Sequence, residues 1–139
     1  MQRIMTSTAL VFAGALLLAG CAAGGGTATP SADPCETVKS EVRDISNGAQ
    51  NALAAGGDPA EVQSTLEDYS VRVSELGETT DDAVSTELEA LTGALDDAAE
   101  FAATLPTDPE AEVDADAVAE HQTAIQEAAT SASEACSAE

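Results

Sequence analysis

The chain has 139 residues, and 26 Asp and Glu against 4 Lys and Arg give it a formal net charge of −22. This balance argues against nucleic acid as a partner, because phosphate contacts need clustered Lys and Arg. Hydrophobic residues make up 44% of the chain and aromatic residues 2%, so any core is built mainly from Ala, Leu, Val and Ile.

The N-terminus has the layout of a secretory signal. A short basic start that ends at Arg3 is followed by an uncharged apolar run, strongest over residues 9–18. That run is too short to cross a hydrocarbon core, which needs a helix of about 20 residues. The run ends in Leu18-Ala19-Gly20-Cys21, and this ending resembles the lipobox of bacterial lipoproteins.

The lipobox resemblance covers only the first 21 residues, and it implies a covalent anchor. It implies that the Cys21 thiol receives a diacylglycerol group and that the chain is cut between Gly20 and Cys21. Residues 1–20 are then the signal peptide, and two acyl chains hold the protein at the extracytoplasmic face of the cell membrane. The alternative is an ordinary secretory signal followed by an unrelated cysteine.

A tether is predicted directly after the lipidated cysteine. Residues 22–32, AAGGGTATPSA, have no charge and no large apolar side chain, which is typical of a flexible linker. Fully extended, such a stretch reaches at most about 40 Å. Loss of residues 1–20 removes Arg3 and changes the net charge from −22 to −23, so repulsion from anionic lipid favours a domain that stands off the membrane.

Two helices with the same start signal follow the tether. In the first, Asp33 is the N-cap, Pro34 takes the first helical position, and Gly56-Gly57 ends the helix. Asp58-Pro59 repeats this start in the second helix, which ends at Gly77. In both, apolar residues recur at spacings of three and four. The predicted buried positions are Val38, Val42, Ile45, Ala49, Ala52 and Leu53, then Val62, Leu66, Tyr69, Val73 and Leu76.

Two further helices complete the predicted domain, residues 33–139. The third begins near Thr79 or Thr80 and is closed by Pro106, and the fourth begins between Pro109 and Asp114. Their predicted buried positions are Val84, Leu88, Leu91, Leu95, Ala98, Ala102 and Leu105, then Val118, Gln122 or His121, Ile125, Ala129, Ala132 and Cys136.

These helices predict an all-α fold, an Ala-rich antiparallel up-down four-helix bundle. Heptad-like spacing favours near-parallel packing of helix axes, and short connections make neighbours antiparallel. Period-two alternation, which strands require, is nearly absent.

The cysteines predict a covalent closure of this bundle. With Cys21 lipidated, Cys35 and Cys136 remain, and an exported domain lies in an oxidising compartment. Four helices return the chain to its starting end, whereas three would leave these thiols about 30 Å apart, too far for a disulfide. We therefore expect a Cys35–Cys136 disulfide.

No catalytic, cofactor or metal site is predicted. The single histidine, His121, is interpreted as a half-buried side chain, since zinc sites need several ligands and a di-iron bundle needs two Glu-x-x-His motifs. A Gly-x-Ser-x-Gly elbow and a phosphate-binding Gly-rich loop are missing from the sequence. An enzyme would require a pocket that holds His121 beside a carboxylate.

The acidic C-terminal half is interpreted as a solvated surface. Residues 79–139 contain 16 Asp or Glu and no Lys or Arg. The alternating acids of residues 108–116 resemble a calcium-binding loop, but Val113 stands where such a loop needs Gly, and its twelfth position is Ala119. Asp68 and Arg72 can pair across one helical turn, but the cations are too few for a network of ion pairs.

The sequence therefore predicts a non-catalytic, membrane-anchored lipoprotein. Its helical domain would bind or support an unknown envelope protein or cell-wall partner, and nucleic acid is not expected as a partner. The alternative is a lipoprotein that binds a small ligand or a divalent cation, through the bundle interior or the acidic half.

Overall fold

A computed structural model describes residues 33–108 and 110–138. The described part of the chain forms four α-helices: α1 Pro34–Ala55, α2 Pro59–Gly77, α3 Asp82–Ala102 and α4 Ala115–Ala135. No β-strand occurs in these two ranges. The predicted signal peptide, residues 1–20, and the predicted tether, residues 21–32, lie outside the described residues.

Each helix begins where an aspartate carboxylate caps it. The Asp33 side chain accepts a hydrogen bond from the Cys35 N–H at 3.0 Å, and Asp58 accepts from the Ala60 N–H at 2.9 Å. In both cases proline occupies the first helical position, where a missing N–H costs nothing. The predicted starts of α1 and α2 are thus confirmed.

The bounds of α3 differ from the prediction at both ends. The helix begins at Asp82 rather than near Thr79, because the Asp81 carboxylate accepts from the N–H groups of Ala83 and Val84. It ends at Ala102, so Leu105 lies in the following turn, half-buried against the core.

The helices pack as a four-membered ring around one apolar core. α2 contacts α1 and α3, α3 contacts α4, and α4 returns to contact α1. This is the packing of an up-down bundle, although the α3–α4 connection, residues 103–114, is longer than the other two. The largest fully buried side chains are Ile45, Leu66, Leu88, Leu91, Leu95 and Ile125.

Alanines let the helices approach closely at the C-terminal half of α3 and along α4. Ala98, Ala102 and Ala132 have no exposed surface, and each buries a single methyl group. Burial of apolar area contributes about 25 cal/mol per Å², so these positions stabilise the fold less than leucine would. The core is consequently thin, and it depends on a few large side chains that all four helices contribute.

The predicted disulfide is present at one end of the bundle. Cys35 in the first turn of α1 is bonded to Cys136 at the C-terminus of α4, with the two Cα atoms 5.4 Å apart. The bond closes a loop across a sequence separation of 101 residues. Nearly the whole described chain therefore lies between its two half-cystines.

We predict that the double substitution Cys35→Ser/Cys136→Ser lowers the free energy of unfolding by about 2–5 kcal/mol, because the open unfolded chain gains loop entropy. Thermal melts followed by circular dichroism measure the loss, and Cys21→Ser serves as the control without effect. Two titratable thiols at Cys35 and Cys136 in the oxidised protein would contradict the closure.

Two mid-helix glycines make a matched pair for testing the packing of α1 on α2. A Cβ added at Gly48 meets the Tyr69 hydroxyl and ring, whereas a Cβ at Gly93 meets nothing within 4 Å. We predict that Gly93→Ala stabilises the protein by about 0.5–1 kcal/mol through helix propensity. Gly48→Ala is expected to destabilise it, because Tyr69 is displaced.

Urea denaturation of the two variants measures this difference. In a Tyr69→Ala background, Gly48→Ala should stabilise the protein as Gly93→Ala does, because the obstructing ring is gone. The stabilisation by Gly93→Ala should be the same in both backgrounds. Equal stabilisation by both alanines in the parent protein would show that Tyr69 does not pack against Gly48.

Candidate functional site

The predicted lipidation and cleavage residues, Cys21 and Gly20, lie outside the described residues. The structure does locate the point where the preceding chain enters the bundle. Asp33 caps α1 directly beside the Cys35–Cys136 disulfide, so the segment before residue 33 joins the domain at that end. The disulfide pairs two of the three cysteines of the sequence, and the third is Cys21.

His121 is held in an aromatic stack. Its ring lies on Phe101 of α3 with the centroids 4.6 Å apart and the planes inclined by 27°. The side chain is half-buried, as predicted from the sequence. None of the three grooves described below is lined by His121.

Two of the acids between α3 and α4, Asp108 and Asp114, accept hydrogen bonds from backbone N–H groups. Asp108 accepts from the Glu110 N–H at 2.9 Å, and Asp114 accepts from the N–H groups of Asp116 and Ala117, both at 3.1 Å. The latter bonds start α4, where the helix dipole also favours negative charge. Among residues 33–108 and 110–138, no group of three or more His, Cys, Asp or Glu side chains is arranged to hold a metal ion.

Arg72 pairs with a residue of another helix and not with Asp68, the partner that its own helix makes possible. Its guanidinium lies 2.7 Å from the Glu41 carboxylate of α1 and about 5.7 Å from the Tyr69 ring centroid. Packing of α2 on α1 brings Glu41 within reach of Arg72. The i, i+4 spacing of charges within one helix carries no information about such a partner. Both partners are nearly half exposed, so the pair adds at most about 1 kcal/mol.

The contact between α1 and α4 is polar over its middle. The Gln50 side chain donates to the Ser46 hydroxyl and to the Gln126 amide oxygen, both at 3.0 Å. Gln122 donates to the Gln50 backbone carbonyl at 3.1 Å. The prediction left Gln122 and His121 as alternatives, and the structure uses both: Gln122 reaches α1 and His121 reaches α3.

Beside these glutamines the two helices leave a groove, here called the α1–α4 groove. It has a volume of about 590 Å³, and Val42, Ser46 and Ala129 are its buried floor residues. Its walls are polar. They consist of Lys39, Arg43 and Asn47 on α1 and of Gln126, Thr130, Ser133, Glu134 and Ser137 on and just after α4.

Two smaller grooves lie elsewhere on the bundle. One of about 230 Å³ runs between α2 and α3, and another of about 280 Å³ lies at the disulfide end. The α1–α4 groove differs from both because it alone of the three contains basic side chains.

The α1–α4 groove was missed by sequence reasoning. The predicted buried positions of α4 are mostly small residues, and they indicated only a poorly packed helix face. The available sign of a basic face was the spacing of Lys39 and Arg43, which lie one helical turn apart.

No helix in the described part of the chain is long and apolar enough to span a membrane. Comparisons with known protein families, curated proteins and solved structures found no match to this chain.

The role of Asp114 can be tested by substitution. We predict that Asp114→Ala lowers the free energy of unfolding by about 1 kcal/mol, because two N–H groups of α4 lose their acceptor. Asp114→Asn should stay within a few tenths of the parent, since asparagine also caps helices. Urea denaturation with and without calcium measures both. A calcium-dependent stabilisation that Asp114→Asn abolishes would instead identify Asp114 as a cation ligand.

Proposed function

We propose that the protein is an exported, lipid-anchored lipoprotein that carries a non-catalytic helical domain on a short tether. The observation that carries this proposal is the run Leu18-Ala19-Gly20-Cys21 at the end of a short apolar segment. In this arrangement Cys21 bears the acyl chains, and residues 22–32 separate them from the bundle.

The disulfide supports export. Such bonds persist in oxidising compartments and are rare in the cytosol, so a bundle closed by Cys35–Cys136 fits an extracytoplasmic location. The pairing also leaves a single cysteine for lipidation, and that cysteine ends the signal-like segment.

The state of the reactive side chains supports a non-catalytic role. His121 is stacked on Phe101, and Cys35 and Cys136 are joined to each other. Asp33, Asp58, Asp81 and Asp114 all cap helices. We propose that the bundle binds or supports another component of the cell envelope.

A small-ligand-binding role is the second candidate, and the α1–α4 groove favours it. Ligand sites have volumes of about 300–1,000 Å³ and place a few polar groups around the ligand. The groove falls in this range and is lined by charged, amide and hydroxyl side chains.

The lipid anchor is testable with the full chain expressed in a bacterium that is fed an alkyne-labelled fatty acid. We predict that the parent protein is labelled, that its mature N-terminus is Cys21, and that its mass exceeds that of the polypeptide by the acyl groups. Cys21→Ser should be unlabelled, because serine lacks the thiol that forms the thioether.

The matched control is Cys35→Ser/Cys136→Ser, which removes two cysteines but keeps Cys21. It should retain the label even where its melting temperature falls. An unlabelled parent protein, or a mature chain that begins at another residue, would contradict the anchor.

A further inference from the structure

We propose that the α1–α4 groove binds a small zwitterion, a molecule with one anionic group and one ammonium group. The anionic group would lie against Lys39 and Arg43 of α1, and the ammonium group would face α4. This deepens the second candidate function and depends on the groove alone, so it holds whether or not Cys21 is lipidated.

The α1 wall supplies positive charge that the described protein leaves unneutralised. Arg72–Glu41 is the one ion pair within the described ranges, so neither Lys39 nor Arg43 has a carboxylate partner there. The two side chains are one helical turn apart, where Cβ atoms are separated by about 5–6 Å. Both can therefore reach the same carboxylate or phosphate, and charge-assisted hydrogen bonds of this kind are the strong ones.

The α4 wall supplies acceptors. The hydroxyls of Thr130 and Ser133 donate to backbone carbonyls of their own helix at 2.8 Å, and Ser137 donates to the Ser133 carbonyl at 3.0 Å. Each hydroxyl has thus used its only proton and can only accept further hydrogen bonds. The Thr130 oxygen already accepts a long one from the Gln126 amide at 3.5 Å, and a second lone pair remains.

Glu134 adds an exposed carboxylate to the same wall. A ligand ammonium group that faces α4 can donate hydrogen bonds to these hydroxyl oxygens, and it also satisfies the charge of Glu134.

The net charge of the chain selects a ligand that is neutral overall. At −22, the protein repels anions at long range, and a large polyanion would meet this repulsion over its whole length. A zwitterion has no net charge to repel. It can enter the groove and then use the local cations, which act within a Debye length of about 8 Å.

Titration of the full chain, purified in a non-ionic polyoxyethylene detergent, tests the proposal by NMR. The probes are the ω-amino acids from glycine to 6-aminohexanoate, a series that varies the distance between the two charged groups. We expect saturable shifts of the amide signals of groove residues with at least one member. The matched ions butyrate and butylammonium, each lacking one charge of 4-aminobutyrate, should bind about tenfold or more weakly than the best zwitterion.

Arg43→Gln should weaken binding of that zwitterion by about tenfold, because a charge-assisted contact is lost. Arg72→Gln is the matched control. It removes the same positive charge from the same acidic protein but lies outside the groove, and it should leave the affinity unchanged within about twofold.

A zwitterion of this type can be a free solute or the headgroup of a lipid. Glycerophosphoethanolamine, a soluble lipid headgroup, distinguishes these two sources. If it binds more tightly than every amino acid in the series, the natural ligand is a lipid headgroup. If it binds more weakly than the best amino acid, the natural ligand is a free solute. Either result supports the zwitterion site.

Three results would overturn the proposal. They are no saturable binding by any zwitterion, butyrate binding as tightly as the best zwitterion, or equal losses in Arg43→Gln and Arg72→Gln. The anchor is measured separately by fatty-acid labelling, so its failure would leave these titrations unaffected.

Discussion

The bond between Cys35 and Cys136 is the constraint on which this fold depends. It joins the first turn of α1 to the end of α4, so all four helices lie within one covalent loop. Much of the core consists of alanine methyl groups, which bury little area, and a chain of this charge repels itself when compact. Closing the loop reduces the entropy of the unfolded chain and stabilises the fold without requiring a larger core. It also positions the entry of the preceding segment at the same end of the bundle.

The polar contact between α1 and α4 explains where a binding site can form. Glutamine hydrogen bonds join α1 to α4 over the middle of their contact, and the space beside them has Val42, Ser46 and Ala129 as its buried floor. Small side chains on α4 leave space beside α1, and the buried hydroxyl of Ser46 is satisfied by Gln50. The α1–α4 groove is the result of this polar contact. Two of the four basic residues of this strongly acidic chain, Lys39 and Arg43, line the groove, which distinguishes it from the rest of the surface.

The proposed anchor and the proposed site fit together physically. The groove runs along residues 39–47 of α1 and residues 126–137 on and just after α4, in the half of the bundle nearer to the disulfide. In the proposed arrangement the uncharged tether joins the domain at residue 33, and anionic lipid would repel the acidic surface of the domain. A neutral zwitterion is the kind of ligand that reaches such a groove unopposed.

Local sequence determined the helices, and tertiary packing determined the contacts between them. Asp-Pro start signals, the Gly56-Gly57 stop and three-four spacing predicted four helices. The two cysteines that remain beside Cys21 predicted the disulfide, and the helix count agreed independently, because an even number of helices brings the chain ends together. The start of α3 was missed by two to three residues, since Thr79, Thr80 and Asp81 are all plausible caps and hydrogen-bond geometry selects Asp81. Only the folded bundle decided that Arg72 pairs with Glu41 and that Lys39 and Arg43 face small residues of α4. Periodicity shows which face of a helix is buried, but the identity of the helix that covers it is a property of the assembled bundle.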